Sequence, residues 1–216
     1  MIVRMTIAYE QLLSRRLDWA LQEGSMYFQE KSSLHRTLRK ITQRLAELNI
    51  PYAVVGGMAL FYHGFRRFTE DVDILVTREG LDQIHRHLEG LGYAPLFAGS
   101  KGLRDPESGV RIEFLVSGDF PGDGKPKPVS FPDPDQCCTE KDAVRWLTLD
   151  KLIELKLASG MTSPGRLRDL ADVQELIRLL RLPADFARRL HPYVQDKFGE
   201  LWASVQEETE PGGPER

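Results

Sequence analysis

The sequence predicts an α+β protein, with a mixed β-sheet core flanked by helices, N-terminal helices ahead of it and a C-terminal helical subdomain after it. Three observations carry this. Leu34, Leu38, Ile41, Leu45 and Leu48 recur at alternating spacings of four and three, the apolar stripe of an amphipathic helix. Short apolar runs of strand type, punctuated by Gly, Pro and Asp, fill the middle of the chain. Beyond Leu149 the strand pattern stops and helical stripes return, through Leu149, Leu152, Ile153 and Leu157, then Leu170, Val173, Leu176, Ile177 and Leu180.

In order along the chain, residues 9–30 read as helical, and Ser33 is a candidate N-cap for a helix reaching about Asn49. Pro51 ends that element and Tyr52–Val55 is a short strand. A short helix follows Gly57 to about His63, then a strand Val72–Val76 and a helix Glu79–Leu91 stopped by Gly92. Tyr93–Ala98 and Val110–Val116 read as strands, Gly118–Asp135 as a Pro- and Gly-rich loop with a short strand near Val129–Phe131, and Ala143–Leu147 as a strand. Helices are expected over 149–159, 166–180 and 184–207. The organisation is therefore a helical segment at 1–50, a core at 51–147, a helical subdomain at 148–207 and a disordered tail at 208–216.

Composition bounds the function classes. The chain has 216 residues, 41% hydrophobic and 28% charged, ordinary values for a globular protein. No run approaches the ~18 apolar residues of a membrane span, and the start, MIVRMTIAYEQ, has no secretory apolar region, so a cytoplasmic protein without membrane contact is expected. Cys137 and Cys138 are adjacent and read as two reduced thiols. Net charge is −3, but residues 51–150 carry eleven Lys/Arg against sixteen Asp/Glu, or −5, while 1–50 carry +3 and 151–200 carry +2. An acidic centre between basic ends fits metal and polyanion chemistry, and equally a plain solvated surface.

The residues with chemistry to explain lie in VVGGMALFYHGFRRFTEDVDILV, Val54–Val76. On a strand, residues i and i+2 share a face, so Asp71 and Asp73 lie side by side opposite Val72 and Ile74. Adjacent carboxylates repel, and burial raises that cost. A divalent cation removes it, since Mg²⁺ takes hard oxygen ligands from one or two carboxylates together with substrate phosphates. Pairing with Arg66 and Arg67, or helix capping, is the structural alternative. Gly56 and Gly57 stand between a strand and a helix, where glycine lets a phosphate approach backbone amides. Glu113, in Arg111-Ile112-Glu113-Phe114-Leu115, is a third carboxylate within an apolar strand.

The apolar-Gly-Gly, spacer, apolar-flanked Asp-x-Asp pattern, matched by Val55-Gly56-Gly57 and Asp71-Val72-Asp73-Ile74, resembles the DNA polymerase β-like nucleotidyltransferase superfamily. Ile112-Glu113-Phe114 matches its separate third carboxylate, and Arg67-Phe68-Thr69-Glu70-Asp71 is similar to the Arg-x-Thr-x-Asp lead-in of small prokaryotic members. The resemblance covers about residues 51–116 and implies a nucleotidyltransferase-type fold. It implies Asp71 and Asp73 as ligands of Mg²⁺ (or Mn²⁺) on the triphosphate, Glu113 as second-metal ligand or base, and phosphate binding by Gly56, Gly57, Arg67 and Thr69. The implied reaction is attack of an acceptor hydroxyl on the α-phosphorus of an NTP, ATP included, with loss of pyrophosphate. An RNA end (tRNA among them), a protein side chain or a small molecule such as an antibiotic are the acceptor classes.

The C-terminal helices add a second feature. Lys156 falls on the inward stripe of its helix, and Asp169, with Asp172 at the stripe's edge, falls beside that of the next. An inward lysine needs an anionic partner, either Asp169 in a structural ion pair or nucleotide phosphate. Leu152-Ile153-Glu154-Leu155-Lys156-Leu157-Ala158 and Arg166-Leu167-Arg168-Asp169-Leu170-Ala171-Asp172-Val173 resemble abortive-infection type nucleotidyltransferases, a group that includes toxins of toxin–antitoxin pairs. That likeness implies catalytic roles for Lys156 and Asp169 and a cognate toxin or antitoxin partner, although Gly56-Gly57 replaces the Gly-Ser of many such toxins. The contrasting expectation is a non-catalytic nucleotide-binding or regulatory protein that keeps the fold. His63, His85 and His87 read as helix-end or solvated residues.

Overall fold

The computed structural model describes residues 7–209; the expected disordered tail lies outside the described residues, apart from its first two positions. The chain divides into two compact units. The first runs to Tyr62 and takes in Arg66–Ser117 and Pro132–Leu147; the second comprises His63–Phe65, Gly118–Phe131 and the chain from Thr148.

In the first unit the N-terminal helical region is broken into α1 (Tyr9–Arg15) and α2 (Leu17–Phe28), because Arg16 takes φ −128°, ψ 88°, outside the helical region. Helix α3 spans Ser33–Glu47, and its N-cap is Ser32 rather than Ser33: the Ser32 Oγ accepts from the His35 backbone N–H. The strands are β1 (Tyr52–Val54), β2 (Asp71–Val76), β3 (Ala94–Pro95), β4 (Leu103–Arg104), β5 (Arg111–Val116), β6 (Cys138–Lys141) and β7 (Val144–Leu147), with α4 (Gly56–Tyr62) after β1 and α5 (Arg78–Leu88) after β2. Among the described residues they form one mixed sheet in the order β3-β4-β5-β2-β1-β7-β6. β1 pairs antiparallel to β2, whereas β2–β5 and β1–β7 are parallel.

Strand β3 is shorter than the expected Tyr93–Ala98, and β4 and β6 lie where no strand was expected. A two-residue strand leaves almost no periodicity to read. No strand forms near Val129–Phe131, where Phe131 instead exchanges backbone hydrogen bonds with Gly118 and Asp119.

The pleat sorts the two central strands. Val72, Ile74 and Val76 of β2 and Ile112, Phe114 and Val116 of β5 enter a core shared with Leu34, Leu38, Ile41 and Leu45 of α3 and Leu81, Ile84 and Leu88 of α5. Residues 71, 73, 111 and 113 therefore share the other face.

The second unit contains α6 (Leu149–Thr162), α7 (Leu167–Leu180) and α8 (Pro192–Thr209). The last expected helix, 184–207, is split into a 3-10 segment Ala184–Arg189 and α8, which begins at Pro192, where proline has no N–H to lose. Ile153, Leu157, Val173, Leu176, Ile177, Phe186, Val194 and Phe198 are buried in this unit. No described helix is long and apolar enough to cross a membrane.

Candidate functional site

The parallel register of β2 and β5 places Asp71 beside Arg111 and Asp73 beside Glu113. One ligand oxygen from each of Asp71, Asp73 and Glu113 lies within 4.8 Å of the others. The expected convergence of three carboxylates is thus present, but the positions are half-buried rather than buried; Asp71 and Glu113 side chains are 21% and 41% exposed. Their mutual repulsion is accordingly weaker than in a dry interior.

Asp71 and Glu113 are held by named neighbours. The Thr69 hydroxyl donates to Asp71 Oδ1 at 3.0 Å, and Arg111 Nη2 donates to Asp71 Oδ2 at 2.8 Å. Arg111 Nε stands 3.2 Å from Glu113 Oε1, so one guanidinium reaches two of the three carboxylates. This arginine is the residue that sequence reasoning left without a role; its signal was its place two residues before Glu113, on the same strand face. The carboxylates outweigh the effect of its partial burial and raise its pKa further. Asp71 pairs with Arg111 and not with Arg66 or Arg67. Arg67 Nη1 donates to the Phe68 carbonyl, while the Tyr27 hydroxyl donates to the Arg67 carbonyl.

The glycines prove to be needed by the carboxylates themselves. Gly56 has φ +61°, and a Cβ there would stand 1.9 Å from Asp73 Oδ2. A Cβ on Gly57 would stand 2.6 Å from Thr69 Cβ and Oγ1. Gly56 thus gives Asp73 its place, and Gly57 gives place to the threonine that holds Asp71. Helix α4, which these glycines open, has seven residues.

The donor set fits a divalent cation. An octahedral Mg²⁺ with ~2.1 Å bonds sets its ligand oxygens about 3.0 Å apart in cis and ~4.2 Å apart in trans. Three hard oxygens within 4.8 Å need only small side-chain adjustments to meet that shape.

In the second unit, Lys156 is buried and donates to Asp169 Oδ1 at 2.9 Å and to Asp172 Oδ2 at 2.8 Å. The expected partner is present, and a second, deeper one joins it: Asp172, placed by its spacing at the stripe's edge, is only 3% exposed. Asp169 Oδ2 also accepts from the Ser159 hydroxyl at 2.7 Å. Burial opposes ionisation of Asp169, but Lys156, Ser159 and Arg166 together hold its pKa below the usual carboxylate range. Cys137 and Cys138 are thiols outside any disulfide, and His85 is paired with Glu89 at 2.9 Å.

The fold is similar to that of solved structures at low sequence identity. The solution structure of the antibiotic-resistance factor ANT(2'')-Ia is similar with a TM-score of 0.50 at 15% identity, over 80% of this chain and 95% of that one. The crystal structure of ANT(2'')-Ia in complex with adenylyl-2''-tobramycin gives 0.49 at 14% identity, over 80% and 97%. An antigenic nucleotidyltransferase-like protein from Paracoccidioides brasiliensis gives 0.47 at 18%, over 81% and 92%. No protein-family model matches the sequence, and no curated protein matches it.

Proposed function

We propose that the chain is a divalent-metal-dependent nucleotidyltransferase that moves NMP from an NTP to an acceptor hydroxyl and releases pyrophosphate. The observation that carries this reading is the convergence of Asp71, Asp73 and Glu113 on one face of adjacent parallel strands. A bound Mg²⁺ or Mn²⁺ would neutralise and orient the triphosphate. Asp71 and Asp73 would hold that ion, Asp71 kept in position by Thr69 and Asp73 by the space beside Gly56. Glu113, more exposed than Asp71, would take the proton of the attacking hydroxyl as the new acceptor O–P bond forms and the α–β P–O bond breaks. Amides of the Gly56-Gly57 turn and Arg67 are the assigned phosphate contacts, and Lys156 with Asp169 is assigned a supporting catalytic role. RNA ends, protein side chains and small hydroxylated molecules are the acceptor classes to test, and a role within a toxin–antitoxin pair depends on which one is used.

The test is incubation with each α-labelled NTP, Mg²⁺ and a mixed pool of RNA, protein and small acceptors. Label in one fraction, absent with Asp71→Asn/Asp73→Asn, is the expected result. No transfer from any NTP, with NTP still bound, would leave the protein a nucleotide-binding partner and not an enzyme.

A further inference from the structure

Arg111 occupies one oxygen on each of two carboxylates of the triad. Its Nη2 sits on Asp71 Oδ2 at 2.8 Å and its Nε lies 3.2 Å from Glu113 Oε1, while its own side chain is 39% exposed. The register of β2 and β5 fixes this: Arg111 lies directly across from Asp71 and two residues from Glu113, so its guanidinium spans both. Three carboxylates and one guanidinium leave the cluster about two charges negative instead of three. A divalent ion that takes Asp71 Oδ2 or Glu113 Oε1 competes with these ion pairs, and one on the other oxygens of the same carboxylates is still repelled by the guanidinium beside it.

We propose that Arg111 is a resident counter-charge of the carboxylate triad, holding Asp71 and Glu113 together without metal and yielding Asp71 when a divalent cation enters. This rests on the reading of the triad as a metal site. It makes Arg111 a positioning residue that sets metal affinity downward, so the triad keeps its geometry yet fills mainly when metal arrives with the triphosphate. The opposite role is physically distinct: an arginine that only pre-organises the ligands would raise metal affinity.

The sign of one measurement separates them. Mn²⁺ is titrated into the whole chain and free Mn²⁺ is followed by electron paramagnetic resonance, for the unsubstituted protein, Arg111→Gln, Arg111→Lys and Asp71→Asn/Asp73→Asn. A half-exposed ion pair of order 1 kcal/mol corresponds to about five- to tenfold in Kd, so Arg111→Gln is expected to bind Mn²⁺ tighter by about that factor. Arg111→Lys, which keeps the charge but not the two-pronged reach, should fall between. Unchanged or weaker binding in Arg111→Gln, with binding still abolished by Asp71→Asn/Asp73→Asn, overturns the role of Arg111 and leaves the metal site standing. Binding indifferent to the aspartate substitutions, or absent in every protein, overturns both. Should Arg111→Gln fail to fold, the guanidinium Nη–H resonance of Arg111 in the ¹⁵N-labelled unsubstituted protein, which reports the Asp71 contact, decides. It should move toward the free-arginine position on saturation with diamagnetic Mg²⁺, and an unmoved signal overturns the proposal.

Discussion

Gly56 shows how one residue sets the site. Its φ of +61° is the left-handed region that glycine enters without steric cost, and the absent Cβ leaves the space that Asp73 Oδ2 uses. Gly56→Ala therefore combines backbone strain with expulsion of a carboxylate. A loss of roughly 1–3 kcal/mol is expected, with weakened Mn²⁺ binding, read by denaturant melts and by metal titration. A variant as stable and as metal-competent as the unsubstituted protein would show that the turn relaxes freely. Glu113 separates binding from chemistry in the proposed reaction. Glu113→Gln keeps the shape and much of the NTP affinity and removes the base, so kcat should drop by about 10²–10⁴ with little change in NTP Kd. Full turnover in that variant would make Glu113 a structural partner of Arg111. The Asp-x-Asp pair and the isolated glutamate were legible because carboxylates interrupting apolar strands are costly. The role of Arg111 was not, since the partner of a charge across two strands depends on a register that no single strand contains.

At the scale of elements, the cap of α3 carries a pH dependence. His35 is buried, Ser32 Oγ lies 2.9 Å from its Nδ1, and burial, helped by Arg39, lowers its pKa to about 4. The unfolded value is ~6.5. Above it both states are neutral, so His35 adds no pH dependence there. As pH falls from 6.5 toward 4 the unfolded chain takes up the proton and the folded chain does not. Stability from this group is therefore lost in that window, at up to ~1.4 kcal/mol per pH unit. His35→Leu should flatten the stability profile between pH 6.5 and 4 relative to the unsubstituted protein, and parallel profiles would contradict the assignment.

Helices α6 and α7 make a second element-scale case. Lys156→Met strands Asp169 and Asp172, so a loss of about 3–5 kcal/mol is expected, with partial recovery in acid as the carboxyls protonate. Asp172→Asn should cost more than Asp169→Asn, because the Asp172 carboxylate is the more deeply buried partner of Lys156. If a repacked Lys156 variant is stable and turns over NTP fully, its assigned catalytic role fails. The lysine was legible as a charge on an apolar stripe. The burial of Asp172 was not, because it turns on the packing of α7 rather than on its spacing. The break at Arg16 was equally hidden, since nothing in the apolar pattern of residues 9–28 marks a non-helical backbone.

For the whole molecule, part of the acidic centre of the sequence resolves into a carboxylate-bearing face of β2 and β5, strands whose opposite face is apolar. The sheet order is a long-range property: β2 lies between β1 and β5, partners distant in sequence, and the two-residue strands β3 and β4 are too short to announce themselves. Because the proposed ligands sit at the middle of that sheet, metal and NTP together should stabilise the fold they bind. Saturation at a hundredfold over Kd contributes about 2.7 kcal/mol, which for a chain of this size is a rise of roughly 5–10 °C in melting temperature. The first unit contains Trp19 and Trp146 and the second contains Trp202. Trp202→Phe therefore leaves fluorescence that reports on the first unit alone, and the rise should be seen there. Asp71→Asn/Asp73→Asn should lose most of it while remaining folded. Without metal, that variant gains the relief of two repelling charges but gives up the Arg111–Asp71 ion pair, so its melting temperature should stay within a few degrees of the unsubstituted protein. An undiminished metal-dependent rise in the double variant would place the cation elsewhere and remove the basis for reading this sheet face as catalytic.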